Sequence, residues 1–205
     1  MVCRLGTQTY DACYSFGSFE EELRDLVHLL KYGRVQTVAR PLGKLLAAAL
    51  PRDQVFDALV ALPLHWRKRW ERGFNQSELL AHEVSRRTGI PLRKVVRRAK
   101  STSAQAGLTS AKRRANMSMA FRATTRLDGQ RLILIDDVLT TGSTAASCAR
   151  ALKRAGASYV AVLTVARVDR RMAAVVHRLE DRLDTSSLDS NFPGSSKYAQ
   201  SGSTT

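Results

Sequence analysis

Short runs of consecutive apolar residues alternate along the chain with longer segments in which apolar positions recur every three or four residues. The first pattern is typical of strands buried on both faces of a parallel sheet, and the second of amphipathic helices. Because helical segments separate the runs, the pattern predicts an α/β fold with a doubly wound, mostly parallel sheet flanked by helices. The apolar runs lie at 56–62, 132–135 and 159–165, with a shorter one at 92–96.

Two helices are predicted before the first of these strands. The first spans 16–32, and Ser18 near its start is a plausible N-cap. The second runs from about 35 to 50, where Pro41 indicates a kink or a later start. Further amphipathic segments predict helices at 75–88, 145–155 and 170–182.

A basic segment at 63–76 follows the first predicted strand and is expected to be a loop. It carries Trp66 and Trp70 among its Lys and Arg residues. One interpretation is a solvated basic loop that these two Trp anchor in the core. His65 in the same segment is interpreted as a loop residue rather than a catalyst.

The stretch at 131–144 carries the strongest chemical signal. Asp136 and Asp137 are predicted to end a buried strand at the carboxyl edge of the sheet, where open α/β sheets bind ligands. A hydroxyl-rich turn around a glycine then opens a helix, an arrangement whose backbone N–H groups and helix dipole bind phosphate. No Lys follows the glycine, which excludes a Walker loop. The alternative is a buried strand followed by an ordinary acidic turn.

Charge sets this chain apart from ordinary globular proteins. Its 205 residues suffice for one α/β domain, but 33 Lys and Arg against 18 Asp and Glu give a net charge of +15. Such an excess predicts an anionic partner: a phosphorylated substrate, single-stranded nucleic acid or RNA.

Cysteine usage and hydropathy indicate an intracellular chain. Three Cys do not make a disulfide framework, and Cys148 is expected to be a small core residue. The chain has no run of 18 apolar residues and no signal-peptide pattern. We therefore expect a cytoplasmic protein without a membrane span.

Two stretches are polar and weakly periodic. The stretch at 99–125 is predicted to be a long mobile excursion, with a β-ribbon and a short helix at 110–114 as its candidate structure. The Ser- and Thr-rich stretch at 184–205 is predicted to be a disordered tail. These boundaries predict a single domain over 1–183, with a helical hood at about 16–50 and a core at about 55–167.

The stretch at 131–144 resembles the 5-phosphoribosyl-1-pyrophosphate (PRPP) signature of type I phosphoribosyltransferases. The resemblance implies that Asp136 and Asp137 hold the ribose hydroxyls and Mg²⁺. Purine-salvage members place an acid where this chain has Thr140, so the resemblance does not identify the acceptor. The residues implied to cradle the 5′-phosphate are Thr140, Thr141, Gly142, Ser143 and Thr144.

A narrower resemblance is to the ComF/GntX family, a phosphoribosyltransferase-like group linked to bacterial competence and DNA uptake. Many members carry a four-Cys zinc ribbon before this domain, whereas here only Cys3 and Cys13 precede it. Two thiolates do not complete a tetrahedral site, so no zinc is expected. The matching positions are Leu30-Lys31-Tyr32, Pro63-Leu64, Arg72-Gly73-Phe74-Asn75-Gln76, Gln105, Arg114, Asn116 and Phe121.

The resemblance to type I enzymes also implies roles for residues around Asp136 and Asp137, the diacid. The segment at 63–76 lies where these enzymes place their pyrophosphate loop, and the excursion at 99–125 where they place a lid. A nucleic-acid-binding arm is the alternative for the excursion, and for Lys31 the alternative to a site role is to complement the helix dipole. Arg72 joins Asp136 and Asp137 as the candidate catalytic residues. The pyrophosphate-loop candidates are Arg67, Arg69, Arg72 and Gly73, and the lid candidates are Gln105, Arg113, Arg114 and Asn116.

Two functional hypotheses of different class follow. The first is a phosphoribosyltransferase that binds PRPP with Mg²⁺, releases pyrophosphate and acts on an unidentified nitrogen acceptor. The second is a non-catalytic PRPP-binding or single-stranded-DNA-associated factor, with DNA-uptake or replication-restart proteins as partners. The sequence does not determine the acceptor or whether the protein forms an oligomer.

Overall fold

The structure, a computed structural model, describes residues 9–33, 35–99 and 120–168. The lid candidates Gln105, Arg113, Arg114 and Asn116, the predicted helix at 170–182 and the predicted tail lie outside these ranges. The strands are β1 (Ala12–Ser18), β2 (Ala58–Ala61), β3 (Val96–Arg98), β4 (Phe121–Ala123), β5 (Arg131–Leu139) and β6 (Tyr159–Arg167). The helices are α1 (Glu21–Lys31), α2 (Ala39–Ala48), α3 (Trp66–Arg72), α4 (Gln76–Thr88) and α5 (Ser143–Arg154), with a 3-10 turn at Gln36–Val38.

Within the described ranges, four parallel strands form the central sheet, in the order β1-β6-β5-β2. In β5, Ile133 and Ile135 pack with residues of α1, α2 and α4 on one face, whereas Leu132 and Leu134 pack with residues of α5 on the other. Both faces are covered, which is why the strands read as continuous apolar runs. The predicted doubly wound, mostly parallel fold is confirmed.

Strand β1 was not predicted. The helix predicted to begin at residue 16 begins later in the structure. Residues 12–18 form β1, which pairs with β6, and α1 begins only at Glu21. Ser18 ends the strand instead of capping the helix, and the N-cap Glu20 makes no side-chain cap hydrogen bond. The short apolar stretch is a strand because β6 offers it a pairing edge, and local periodicity does not register such a tertiary contact.

Helix α2 packs against α4 through a glycine. It begins at Ala39, so Pro41 lies in its first turn, as the alternative of a later start predicted. Gly43 is buried, and a Cβ placed on it would lie 2.3 Å from Cβ of Glu83 in α4. Only a residue without a side chain permits this approach, which fixes the position of α4 beside the sheet.

The segment predicted to be a basic loop contains a helix of seven residues, α3. Nδ1 of His65 accepts a hydrogen bond from the backbone N–H of Arg67 and caps its start, and Gly73 in the left-handed conformation ends it. Burial and the neighbouring arginines lower the pKa of His65, which keeps this cap neutral. Trp66 and Trp70 are 64% and 87% exposed, so the interpretation of both as core anchors is wrong.

A two-stranded antiparallel ribbon of β3 and β4 forms the base of the predicted excursion. The rest of that excursion, 100–119, lies outside the described ranges. Before the ribbon, Leu92 makes a single parallel bridge to Leu59 of β2. Within the described ranges, every helix is too short or too polar to span a lipid bilayer.

Candidate functional site

The two adjacent acids lie inside β5, not at its end as predicted. The strand continues to Leu139 because β6 continues beside it, with Leu139 opposite Arg167. Successive side chains of a strand point to opposite faces of the sheet. The two carboxylates nevertheless contact two helices that cover the same face of the sheet: Asp137 contacts α1 and Asp136 contacts α4.

Asp137 is held by an ion pair with the hood. Its Oδ1 lies 3.6 Å from Nζ of Lys31, the last residue of α1, and accepts a hydrogen bond of 2.6 Å from the backbone N–H of Val138. Asp137 and Lys31 are only 7% and 8% exposed. The ion pair places the predicted site candidate Lys31 directly at the diacid, so complementing the helix dipole is not its only contact.

Asp136 is held by the first turn of α4. Its Oδ1 accepts hydrogen bonds from Oγ of Ser77 at 3.1 Å and from the backbone N–H of Asp137 at 2.9 Å. Burial and the neighbouring carboxylate of Asp137 raise the pKa of Asp136 to about 7, against the opposing effect of Lys31. This carboxylate is therefore poised to gain or lose a proton near neutral pH.

Each acid uses one oxygen to contact the protein and keeps the other. All the hydrogen bonds and the ion pair described above engage Oδ1, and Oδ2 of neither acid has a partner among the described residues. The described residues contain no group of three or more His, Cys, Asp or Glu able to hold a metal ion. Magnesium usually takes one or two carboxylates and completes its shell with water and substrate oxygens, so these two acids fit it.

The hydroxyl-rich turn that follows β5 has the geometry of an anion site. Gly142, at φ 73°, is the N-cap of α5, and no side chain caps this helix. Oγ1 of Thr141 donates to Oγ of Ser143, and both side chains are exposed. The backbone N–H of Ser143 donates to Oγ1 of Thr141 at 3.4 Å, and the exposed hydroxyls at the start of this twelve-residue helix can bind a phosphate. Thr140, Gly142 and Thr144 complete the predicted turn.

The Arg72–Gln76 motif joins the hood to the sheet. The guanidinium of Arg72 lies 5.1 Å from the ring centroid of Tyr32, the residue after Lys31. Asn75 caps α4 by accepting from the backbone N–H of Ser77 at 3.2 Å, and its amide donates to the carbonyl of Leu62 at 3.1 Å. The motif therefore contacts Tyr32, the end of β2 and, through Ser77, the diacid.

The three arginines of the predicted pyrophosphate loop point to different places. Arg72 approaches the hood, Arg67 stacks on Trp66 at 5.3 Å, and Arg69 lines a groove shared with Trp66, Trp70 and Gly73. Of these three arginines, Arg72 is the one that contacts Tyr32, the residue next to Lys31. Gly73 serves first as the C-cap of α3.

Two polar atoms near the diacid are buried without a hydrogen-bond partner among the described residues. They are Nε2 of Gln76, which precedes Ser77, and Oγ1 of Thr164, which lies opposite Asp136 in the β5–β6 register. A buried polar group without a partner costs roughly 1–3 kcal/mol.

The structure places Lys31 at the two acids and Arg72 beside Tyr32, whereas Ser77, Asn75 and Tyr32 were not predicted to be contacts of the site. The available signal was local: Asn75 and Ser77 have the spacing of an N-cap and its partner. Nothing local places that helix start against a strand 59 residues later. Cys148, predicted to be a core residue, is fully buried on α5, and burial raises the pKa of its thiol.

Comparison with known proteins places this geometry in a family. The model of the phosphoribosyl transferase domain matches residues 75–193. The DNA utilization protein YhgH of Escherichia coli is 37% identical over 152 residues, covering 71% of this chain and 67% of that protein. Competence protein F of Haemophilus influenzae is 32% identical over 176 residues, covering 80% and 76%.

Solved structures with a similar course of the chain are more distant. The glutamine PRPP amidotransferase from B. subtilis has a TM-score of 0.45 and 23% identity, over 62% of this chain and 26% of that one. The UMP synthase of Leishmania donovani has a TM-score of 0.43 and 20% identity, over 75% and 27%. The chain thus spans about a quarter of the length of these two structures.

The family match covers more than half of the chain and includes β5, the hydroxyl-rich turn and α5. Two curated relatives more than 30% identical over most of their length carry competence or DNA-utilization names. The chain belongs to the phosphoribosyl transferase domain family, as a ComF-like protein of the type I phosphoribosyltransferase fold.

Proposed function

We propose that the protein binds PRPP together with Mg²⁺ and transfers the phosphoribosyl group to a nitrogen acceptor. The observation that carries the proposal is the end of β5. Among the described residues, Oδ2 of Asp136 and Oδ2 of Asp137 have no partner, and the hydroxyl-rich start of α5 follows the strand. Free carboxylate oxygens match the hydroxyls of a ribose, and a helix start matches its 5′-phosphate.

The residues have distinct tasks in this reaction. Asp136 and Asp137 accept hydrogen bonds from the ribose hydroxyls and would hold Mg²⁺ together with substrate oxygens. Magnesium, when bound, neutralises charge on the pyrophosphate. Arg72 and Lys31 add positive charge on the hood side, where a leaving pyrophosphate needs it.

The phosphoribosyl transfer needs neither an oxidant nor a reductant. The bond between C1′ and the pyrophosphate oxygen breaks, and its electron pair leaves with pyrophosphate. The lone pair of the acceptor nitrogen forms the new bond to C1′, and that nitrogen loses a proton. The protein contributes mainly by holding both reactants in place and by stabilising the charge that develops on the leaving group.

A calorimetric titration of the protein with PRPP in the presence of Mg²⁺ tests this proposal. We expect saturable binding in the micromolar range, followed by pyrophosphate release when the protein is incubated with PRPP and a panel of amines and nucleobases. Absence of binding would overturn the proposal. Binding without turnover on any acceptor would leave a PRPP-binding protein and remove the transferase activity.

A second candidate function, binding of single-stranded nucleic acid, rests on the exposed face of α3. Trp66 and Trp70 lie four residues apart on this helix, and Arg69 lines the groove between them. Stacking rings beside guanidinium groups bind bases and phosphates without sequence preference. The charge of +15 favours the same partner, and the relatives' names concern DNA utilization and competence.

Replacing Trp66 and Trp70 together with Ala is expected to weaken binding of a fluorescein-labelled oligothymidylate at least tenfold. The expectation follows from stacking energies of roughly 1–3 kcal/mol per base. Fluorescence anisotropy at two salt concentrations measures it, and affinity of the wild-type protein should fall steeply with salt. Phe16→Ala, which removes an exposed ring on β1, is the matched control. Equal affinity of the double variant and the wild type would exclude α3 as the binding surface.

A further inference from the structure

We propose that Ser77 is a positioning residue that orients Asp136 toward the ribose hydroxyls and so sets the preference of the site for a ribose over a deoxy sugar. The proposal rests on the proposed PRPP binding and extends it to a residue outside the diacid and the phosphate turn. It is carried by the contact between Oγ of Ser77 and Oδ1 of Asp136, 3.1 Å apart.

Ser77 is itself held firmly. It is 5% exposed, and its backbone N–H donates to the side chain of Asn75, which in turn donates to the carbonyl of Leu62 at the end of β2. The first turn of α4 is thereby tied to the sheet on one side of the diacid. A hydroxyl fixed in this way defines the direction from which it meets the carboxylate.

The orientation of the Asp136 carboxylate depends on its contact with Ser77 more than that of Asp137 depends on any single partner. Asp137 has the ammonium group of Lys31, a cation, and the N–H of Val138. Among the described residues, Asp136 has no cation at hydrogen-bonding distance, and its other contact is the backbone N–H of the next residue. Without Ser77, the carboxylate of Asp136 would be restrained only by its own backbone, while the charge of Asp137 repels it.

The effect of Ser77 is therefore confined to one of the two acids. Because the Ser77 hydroxyl engages Oδ1, the free Oδ2 of Asp136 points in a defined direction and can accept a hydrogen bond from the sugar. Hydrogen bonds to a charged acceptor depend strongly on direction. Loss of the orientation should weaken recognition of the sugar hydroxyls but leave phosphate recognition by the separate turn at 140–144 intact.

The test compares two sugar phosphates in the presence of Mg²⁺: ribose 5-phosphate and 2,3-dideoxyribose 5-phosphate, which lacks both hydroxyls. Dissociation constants are measured by calorimetry for the wild type, Ser77→Ala, Ser77→Thr and Ser85→Ala. Ser85 is the matched control, since it lies on the same helix and its hydroxyl donates to the carbonyl of Ile90 at 2.7 Å, away from the diacid.

We expect the wild type to bind ribose 5-phosphate more tightly than the dideoxy compound. Ser77→Ala should lose most of that preference, because it binds the ribose compound about tenfold more weakly and the dideoxy compound equally well. A tenfold loss corresponds to one charge-assisted hydrogen bond. Ser77→Thr, which keeps the hydroxyl, and Ser85→Ala should retain the preference. A purely structural role of Ser77 would weaken both ligands equally.

The outcomes separate this inference from the proposed function. A wild type that binds neither PRPP nor these two compounds removes the proposed function and the inference with it. A wild type that prefers the ribose, together with a Ser77→Ala variant that prefers it equally or weakens for both compounds alike, overturns the inference alone.

Discussion

Replacing Asp136 with Asn is expected to weaken PRPP binding by roughly 100-fold or more, because about 3 kcal/mol of charge-assisted hydrogen bonding is lost. The same change should leave the fold intact and raise its stability at neutral pH. The pKa of Asp136 is raised from 3.8 to about 7 by burial and by Asp137, so its ionised form costs free energy in the folded state. Asn removes that cost.

The pH dependence of this stability difference has a defined sign. A group whose pKa is higher in the folded than in the unfolded state lowers stability as pH rises between the two values. The advantage of Asp136→Asn over the wild type should therefore grow from about pH 4 to about pH 7. Urea unfolding at several pH values measures it, and a pH-independent difference would contradict the assignment.

Asp137→Asn should behave differently although it stands next in the sequence. It removes the carboxylate charge that lies 3.6 Å from the buried ammonium group of Lys31, and loss of one partner of a buried ion pair costs roughly 3 kcal/mol or more. We expect a melting temperature several degrees below that of Asp136→Asn. The double variant Asp137→Asn with Lys31→Met, which removes both charges, should recover most of the loss. Equal stability of the two single variants would argue against the ion pair.

Replacing Gly43 with Val is expected to lower the free energy of unfolding by about 3 kcal/mol, the upper range for overpacking a core. A Cβ at this position would lie 2.3 Å from Cβ of Glu83, so α2 and α4 would have to move apart. Because α4 carries Asn75 and Ser77, PRPP binding should also weaken. Urea unfolding and calorimetry measure the two effects.

The clash can be separated from the helix propensity of valine. Ala48→Val on the exposed end of α2 introduces the same side chain without the contact, and should cost well under 1 kcal/mol. Adding Glu83→Gly to Gly43→Val removes the opposing Cβ and should recover part of the loss, despite the loss of exposed ion pairs from Glu83 to Arg86 and Arg87. A double variant no more stable than Gly43→Val would contradict the packing argument.

Strong local signals explain which parts of the fold were predictable. The apolar runs of β5 and β6 need no context because both their faces are buried, and the glycine after α4 marks the end of that helix. Strand β1 was missed because its identity depends on β6, which lies far along the chain. Helix α3 was missed because its Lys, Arg and Trp residues show no apolar face.

In the candidate site, too, contiguous residues were predictable and contacts between distant parts of the chain were not. Asp136, Asp137 and the turn at 140–144 are contiguous, so their chemistry is visible in the sequence itself. The contacts of Ser77 with Asp136 and of Lys31 with Asp137 depend on two helices that come from other parts of the chain. No spacing rule encodes that approach, and only the folded arrangement assigns each acid its own partner.

The order of strands in the sheet has a consequence for how the protein is made. Residues 12–18 leave the ribosome well before residues 159–167, yet β6, formed by those later residues, is their only strand partner in the described sheet. Strand β1 therefore lacks this partner until β6 has been translated. Pairings so distant in sequence form slowly, and an unpaired strand is prone to aggregate. Production of the protein should accordingly benefit from slow synthesis at low temperature or from chaperones that shield the N-terminal segment.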